Sequence, residues 1–131
     1  MATRRTLDDR KPGNQEFFTG GVVQTTSLSE PEGADGVKVI AVEFPPGARS
    51  KWHSHPAGQV LHIVSGSGVV ANDEGQVIRM VEGDTVTASA GELHWHGADR
   101  GSTMLQLSIT THGGADWADE VSDEEYDRAL D

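Results

Sequence analysis

The 131-residue chain contains no cysteine and carries a formal net charge of −11. A chain of this length holds one ordinary domain with one core. The missing cysteine excludes a disulfide framework, a thiolate nucleophile and a cysteine-bound zinc site, and the acidic balance argues against nucleic acid and anionic membrane surfaces as partners.

In chain order, residues 1–16 are polar, broken by Pro12 and Gly13, and are expected to form a flexible arm. No apolar run follows the basic start "MATRRTLDDRKPG", so no signal peptide is expected. No stretch nears the ~20 apolar residues that span a bilayer. Together with the lack of cysteine, this fits a cytoplasmic protein. "FFTGGVVQTTSL" reads as a strand with a turn or bulge at Gly20 and Gly21, and "PEGADG" as a loop. Strand patterns then follow one another: "VKVIAVEF", "QVLHIVSGSGVVAN", "GQVIRMV", "DTVTAS", "LHWHGA" and "TMLQLSIT". They are short, rich in Val, Ile and Thr, and separated by turn residues; "NDEG" reads as a hairpin turn. No 3.6-residue apolar period occurs between 17 and 110. The expected barrel runs from 17 to 112.

Residues 113–131 form an acidic tail. Eight acids from Asp116 to Asp131 face Arg128 alone, which reads as a solvated end that aids solubility. Within it, Ser122 precedes Glu125 by three residues, a capping-box pattern that opens a short helix. The sum is an all-β sandwich or barrel with a short C-terminal helix.

The chemistry concentrates in "KWHSHPAGQ" and "LHWHGA". Residues two apart on a strand share a face, so His53 and His55 converge while Trp52 and Ser54 face away. Gln59 can return to the same place after the Pro56-Ala57-Gly58 bend. His94 and His96 repeat the spacing on another strand. Three imidazoles and one amide around a divalent ion leave open positions, as a catalytic metal requires.

These stretches resemble the two motifs of the cupin family. The first is Gly47, then His53-x-His55, Gln59 and Gly66. The second is Gly83, Gly91 and His94. The likeness covers about 38 to 110 and implies a double-stranded β-helix, or jelly-roll barrel, with His53, His55, Gln59 and His94 as metal ligands. Ser89 stands where proline is usual and Ala98 where asparagine is common. Gln59 replaces the usual glutamate. A neutral ligand set leaves both charges of a divalent ion uncompensated, which strengthens it as a Lewis acid.

The motif His-x-His-Pro-x-Gly-Gln, with "GELHWHGA" and the tail "ADWADEVSDEEY", is similar to small bacterial monocupins that include manganese-dependent hydroxynitrile lyases. That resemblance implies a lyase that cleaves or makes cyanohydrins, with manganese as the metal; iron, zinc, nickel or cobalt suit the same donors. His96 is then a candidate base, two residues beyond ligand His94. Gln106 stands on the last strand, where some relatives carry another histidine, and is the second candidate catalytic residue. A dioxygenase acting on a small diketone, or a non-catalytic binding protein, is the alternative. Small monocupins of this kind pair, so a homodimer or higher even oligomer is expected, with the arm before Phe17 available for strand exchange.

Plainer readings stand beside these. The histidines can be core or surface residues, Gln59 can hydrogen-bond without ligating, and His96 can be structural or a spare ligand. His62 faces opposite to Leu61 and Ile63 and reads as a packing or subunit-contact residue. His112 reads as exposed beyond the last strand. Trp52 and Trp95 read as filling the layer behind the site or a subunit interface.

Overall fold

The computed structural model describes residues 2–31, 33, 35–111 and 114–131; His112 lies outside them. The described strands are β1 (Lys11–Pro12), β2 (Phe18–Thr19), β3 (Gln24–Ser29), β4 (Val37–Phe44), β5 (Arg49–Ser50), β6 (His53–Ser54), β7 (Gln59–Asn72), β8 (Val77–Val81), β9 (Thr85–Ala88), β10 (His94–Ala98), β11 (Met104–Thr111) and β12 (Asp116–Trp117). One helix, α1 (Asp123–Leu130), follows.

The long strand β7 organises the barrel. Its first residues, Gln59–His62, pair with β9, and residues from Ser67 to Ala71 pair with β8. Opposite β11 the register shifts between Leu105 and Gln106, whose partners are Ser65 and Ile63. One extra residue on β7 bends the strand there, as a bulge does, so β7 serves both walls. One wall continues from β7 through β11, β4 and β3 to β1; the other continues through β10 and β5 to β2. All of these pairings are antiparallel.

Apolar residues from both walls meet inside. Phe44, Leu61, Ile63, Met80 and Met104 are fully buried in one cluster. A second cluster lies on the outer side of β10, where Trp95, Val69 and Ala71 pack against Val121, Tyr126 and Leu130. An eight-residue helix is too short to persist alone, and its own cap and packing hold it. Ser122 and Glu125 form the expected capping box. The Tyr126 hydroxyl donates to the Ala98 carbonyl at 2.6 Å. Arg49, almost fully buried, donates to the Val121 carbonyl at 2.8 Å and to Asp123 at 2.7 Å.

The polar N-terminal segment is attached to the barrel along its length; Arg5 donates to the Ser27 carbonyl at 3.2 Å and Arg10 donates to Glu43 at 2.5 Å. Lys11 and Pro12 pair with Thr25 and Gln24. The Gln15 amide clips the backbone of Val23, donating to its carbonyl and accepting from its N–H, each at 3.1 Å. A polar sequence can dock in this way because backbone and amide groups satisfy one another without apolar burial.

Candidate metal centre

The spacing of the histidines turns directly into geometry. His53 on β6 and His94 on β10 are cross-strand partners, so their rings meet with centroids 4.4 Å apart. His96 points to the same side two residues on, 5.2 Å from the His53 ring. His55 completes the group at 5.0 Å from His53 and 5.9 Å from His94. The return to Gln59 depends on Gly58. Its N–H bonds to the His55 carbonyl at 3.1 Å, its φ is +83°, and a Cβ there would lie 2.7 Å from the Ala88 carbonyl oxygen. Glycine alone fits that turn without strain.

Fixed partners decide which ring nitrogen is free. His53 and His94 each hold Nδ1 at 2.8 Å from a backbone carbonyl, that of Lys51 and of Glu92 respectively. A carbonyl only accepts, so both Nδ1 atoms carry the proton and both Nε2 atoms present a lone pair. The Gln59 amide nitrogen donates to the Ser108 hydroxyl at 2.6 Å. That turns Gln59 Oε1 toward His94 Nε2, 2.9 Å away. In this amide orientation two lone pairs converge there, as two ligands of one cation do; with the amide turned, its nitrogen would donate to His94 and its oxygen would accept from the Ser108 hydroxyl.

Burial keeps the imidazoles neutral. Desolvation, then the neighbouring His94, push His53 down to about 3 and His55 down to about 4, with Asp116 opposing the shift at His55. His94 is lowered by burial. His96 is lowered further, by burial and by the other three imidazoles. Neutral imidazole is the form that binds metal. Several buried polar atoms also lack partners: both ring nitrogens of His55, Nε2 of His96 and Oε1 of Gln106. Orphaned buried donors and acceptors are rare in folded proteins and point to a missing ligand.

His53, His94 and His96 place one ligand atom each within 4.8 Å of one another, a trio that could hold an ion. The hydrogen bonding separates His96 from the others. The Gln106 amide nitrogen lies 2.9 Å from His96 Nδ1 and donates to it, so in the neutral ring the proton sits on Nε2. Such a nitrogen donates and does not ligate. His55, with both nitrogens unengaged, suits the third imidazole position better.

The cluster opens into a cavity of about 440 Å³. Three lining residues went unread in the sequence. Trp117 stacks on Phe17 at 4.1 Å and contacts the His53 ring at 4.7 Å. Ser108 orients Gln59. Lys38 projects from β4 into the wall. The alternation of "VKVIAVEF" places Lys38 on the face of Phe44, and the burial of Phe44 turns that face inward. The remaining expectations fall elsewhere. His62 holds Thr85 at 2.8 Å on the outer face. Trp52 and Trp95 lie behind the site against α1.

Residues 40–110 match the family described as the cupin domain. The chain belongs to the cupins. This cupin is 39% identical over 119 residues to the (R)-mandelonitrile lyase of Granulicella tundricola, a match spanning 88% of this chain and 90% of that one. Among solved structures it is similar to a cupin-like protein of Thermotoga maritima, with 35% identity, a TM-score of 0.88, and 95% and 97% of the two chains covered. A polyketide cyclase of Streptomyces resistomycificus shares the fold at 21% identity and a TM-score of 0.70, over 97% of this cupin and 92% of the cyclase.

Proposed function

We propose that this cupin is a metal-dependent lyase of the hydroxynitrile type, acting on a small cyanohydrin. The observation that carries the metal is the group of four buried, neutral imidazoles converging on one point, with both ring nitrogens of His55 without a partner and Gln59 2.9 Å from His94 Nε2. The proposed ligands are His53, His55, Gln59 and His94. The proposed ion is divalent manganese, with iron, cobalt, nickel or zinc able to occupy the same nitrogen and oxygen donors. When bound, it supplies a Lewis acid that polarises the substrate oxygen. The relative that is a mandelonitrile lyase supports the reaction class.

The chain's own residues handle the proton. In the cleavage direction Gln106 first turns its Oε1 to His96 Nδ1–H, which frees Nε2; His96 Nε2 then accepts the hydroxyl proton, the carbon–carbon electron pair leaves with cyanide as the carbonyl forms, and cyanide takes that proton. In synthesis the direction reverses. Gln106 is the positioning residue. An amide presents a donor and an acceptor at one end, so a half-rotation lets Gln106 serve either tautomer of His96. The buried Oε1 of Gln106 and Nε2 of His96, both without partners, support this exchange.

Elemental analysis and cyanohydrin cleavage assays test the reading. His96→Ala is expected to keep its metal and lose ~10²–10⁴ in rate. His53→Ala/His55→Ala is expected to lose metal and activity together. Full metal content in that double variant would remove the site. Oxygen uptake during turnover would instead favour the dioxygenase alternative. We also propose a homodimer, for which light scattering at micromolar concentration is the check.

A further inference from the structure

The described residues lining the cavity include one cation, Lys38, and no carboxylate. Lys38 is half-buried and shares the inward face of β4 with Ile40 and Val42. It pairs across the sheet with Thr110 on β11, and Thr110 pairs in turn with Gln59 on β7. All three line the cavity. The row therefore runs from Lys38, through a threonine hydroxyl, to the proposed ligand Gln59. Two interstrand spacings put the end backbones roughly 10 Å apart. Among the described residues no ion pair engages the Lys38 ammonium group.

A lysine near a cavity mouth can simply lay its stem along apolar surface and hold its head in water. The row argues for more. Lys38 supplies a positive charge at one end of the row, the neutral imidazole cluster stands at the other, and Thr110 lies between. We infer that the cavity takes small substrates bearing a carboxylate, which pairs with Lys38 while a hydroxyl or carbonyl oxygen at the other end faces the imidazoles. This substrate class rests on the metal-dependent reading of the same cavity. The net charge of −11 works against anions at long range. At 0.1 M salt, however, screening limits that field to about 10 Å, and among the described lining residues Lys38 is the one cation.

Isothermal titration calorimetry with para-(hydroxymethyl)benzoate and para-(hydroxymethyl)benzamide isolates the charge, since the two probes share shape and hydroxyl. Wild-type protein loaded with manganese is expected to bind the acid roughly tenfold more tightly than the amide. Lys38→Met should bring that ratio to about one at an unchanged thermal midpoint, and Lys38→Arg should retain it. Equal binding of the two probes by the wild type overturns the inference. So does a ratio that survives Lys38→Met, or failure of both probes to bind. Stripping the metal separates the two readings. If the metal reading alone fails, removal leaves both affinities unchanged while the ratio still follows Lys38.

Discussion

Strand β10 divides the molecule into two layers of opposite character. On its inner side His94 and His96 join a buried group that keeps several polar atoms without partners. On its outer side Trp95 is equally buried, but it packs among Val69, Val121 and Leu130, and the nearby Tyr126 hydroxyl has its acceptor. Alternate residues of one five-residue strand thus serve two ends. The satisfied layer holds the barrel and helix together, and the unsatisfied layer waits for a ligand. A buried polar group without a partner lowers stability, so four such atoms gathered on His55, His96 and Gln106 mark where folding gives way to function.

That division can be broken from either side. At pH 7 the largest expected effect is on the outer layer. Trp95→Ala removes a nearly fully buried indole and should cost about 3–5 kcal/mol of stability, read as a shift in the urea midpoint. Metal affinity of the folded fraction should stay within about threefold of wild type, because His94 and His96 keep their strand positions. Loss of metal in a folded Trp95 variant would show that the two layers are not independent.

The next effect belongs to the inner layer and depends on pH. The folded values of His53 and His55 lie at about 3 and about 4, below the ~6.5 of an unfolded histidine. Above pH 6.5 these imidazoles are neutral in both states and nothing is lost. Between 6.5 and the folded values the unfolded chain binds protons that the folded chain refuses, so stability falls as pH falls. Each imidazole contributes up to about 1.4 kcal/mol per pH unit across that window. Denaturant titrations of metal-stripped protein stepped from pH 7 to pH 4 should give this slope. His55→Gln should make it shallower, whereas Trp95→Ala should lower the whole curve without changing its shape.

The smallest expected effect sharpens the outer side. Tyr126→Phe removes one hydrogen bond to the Ala98 carbonyl and should cost about 1 kcal/mol. Metal content and turnover should be unchanged. Altered turnover would connect the helix to the site.

Much of this arrangement was legible in the sequence. The His-x-His spacing fixed one face for each pair, and the capping box at Ser122 marked the helix start. The motif resemblance supplied the barrel. What escaped has physical reasons. "VKVIAVEF" is apolar on both of its faces, so alternation did not say which side met the cavity. Only the buried Phe44 and the cavity itself place Lys38 inside. Trp117 sits on a two-residue strand, too short for any period, and reaches the site by stacking with Phe17 from the other end of the chain. The contact between Gln106 and His96 follows a register shift on β7 and β11, which no local pattern announces. Spacing showed which side chains share a face, but not the hydrogen bonds that decide their tautomers.

The stack of Phe17 on Trp117 has a consequence for how such a protein changes over generations. Part of the cavity wall is made from short segments near the two ends of the described chain, with Asn14, Phe17 and Phe18 on one and Gly114, Ala115 and Trp117 on the other, rather than from the long central strands. Point changes there alter the shape of the cavity while leaving β7, β10 and β11 untouched. Because Trp117 pairs with His53 and Phe18 packs on Phe44, the same segments also tie the lining to the strand that carries a proposed ligand.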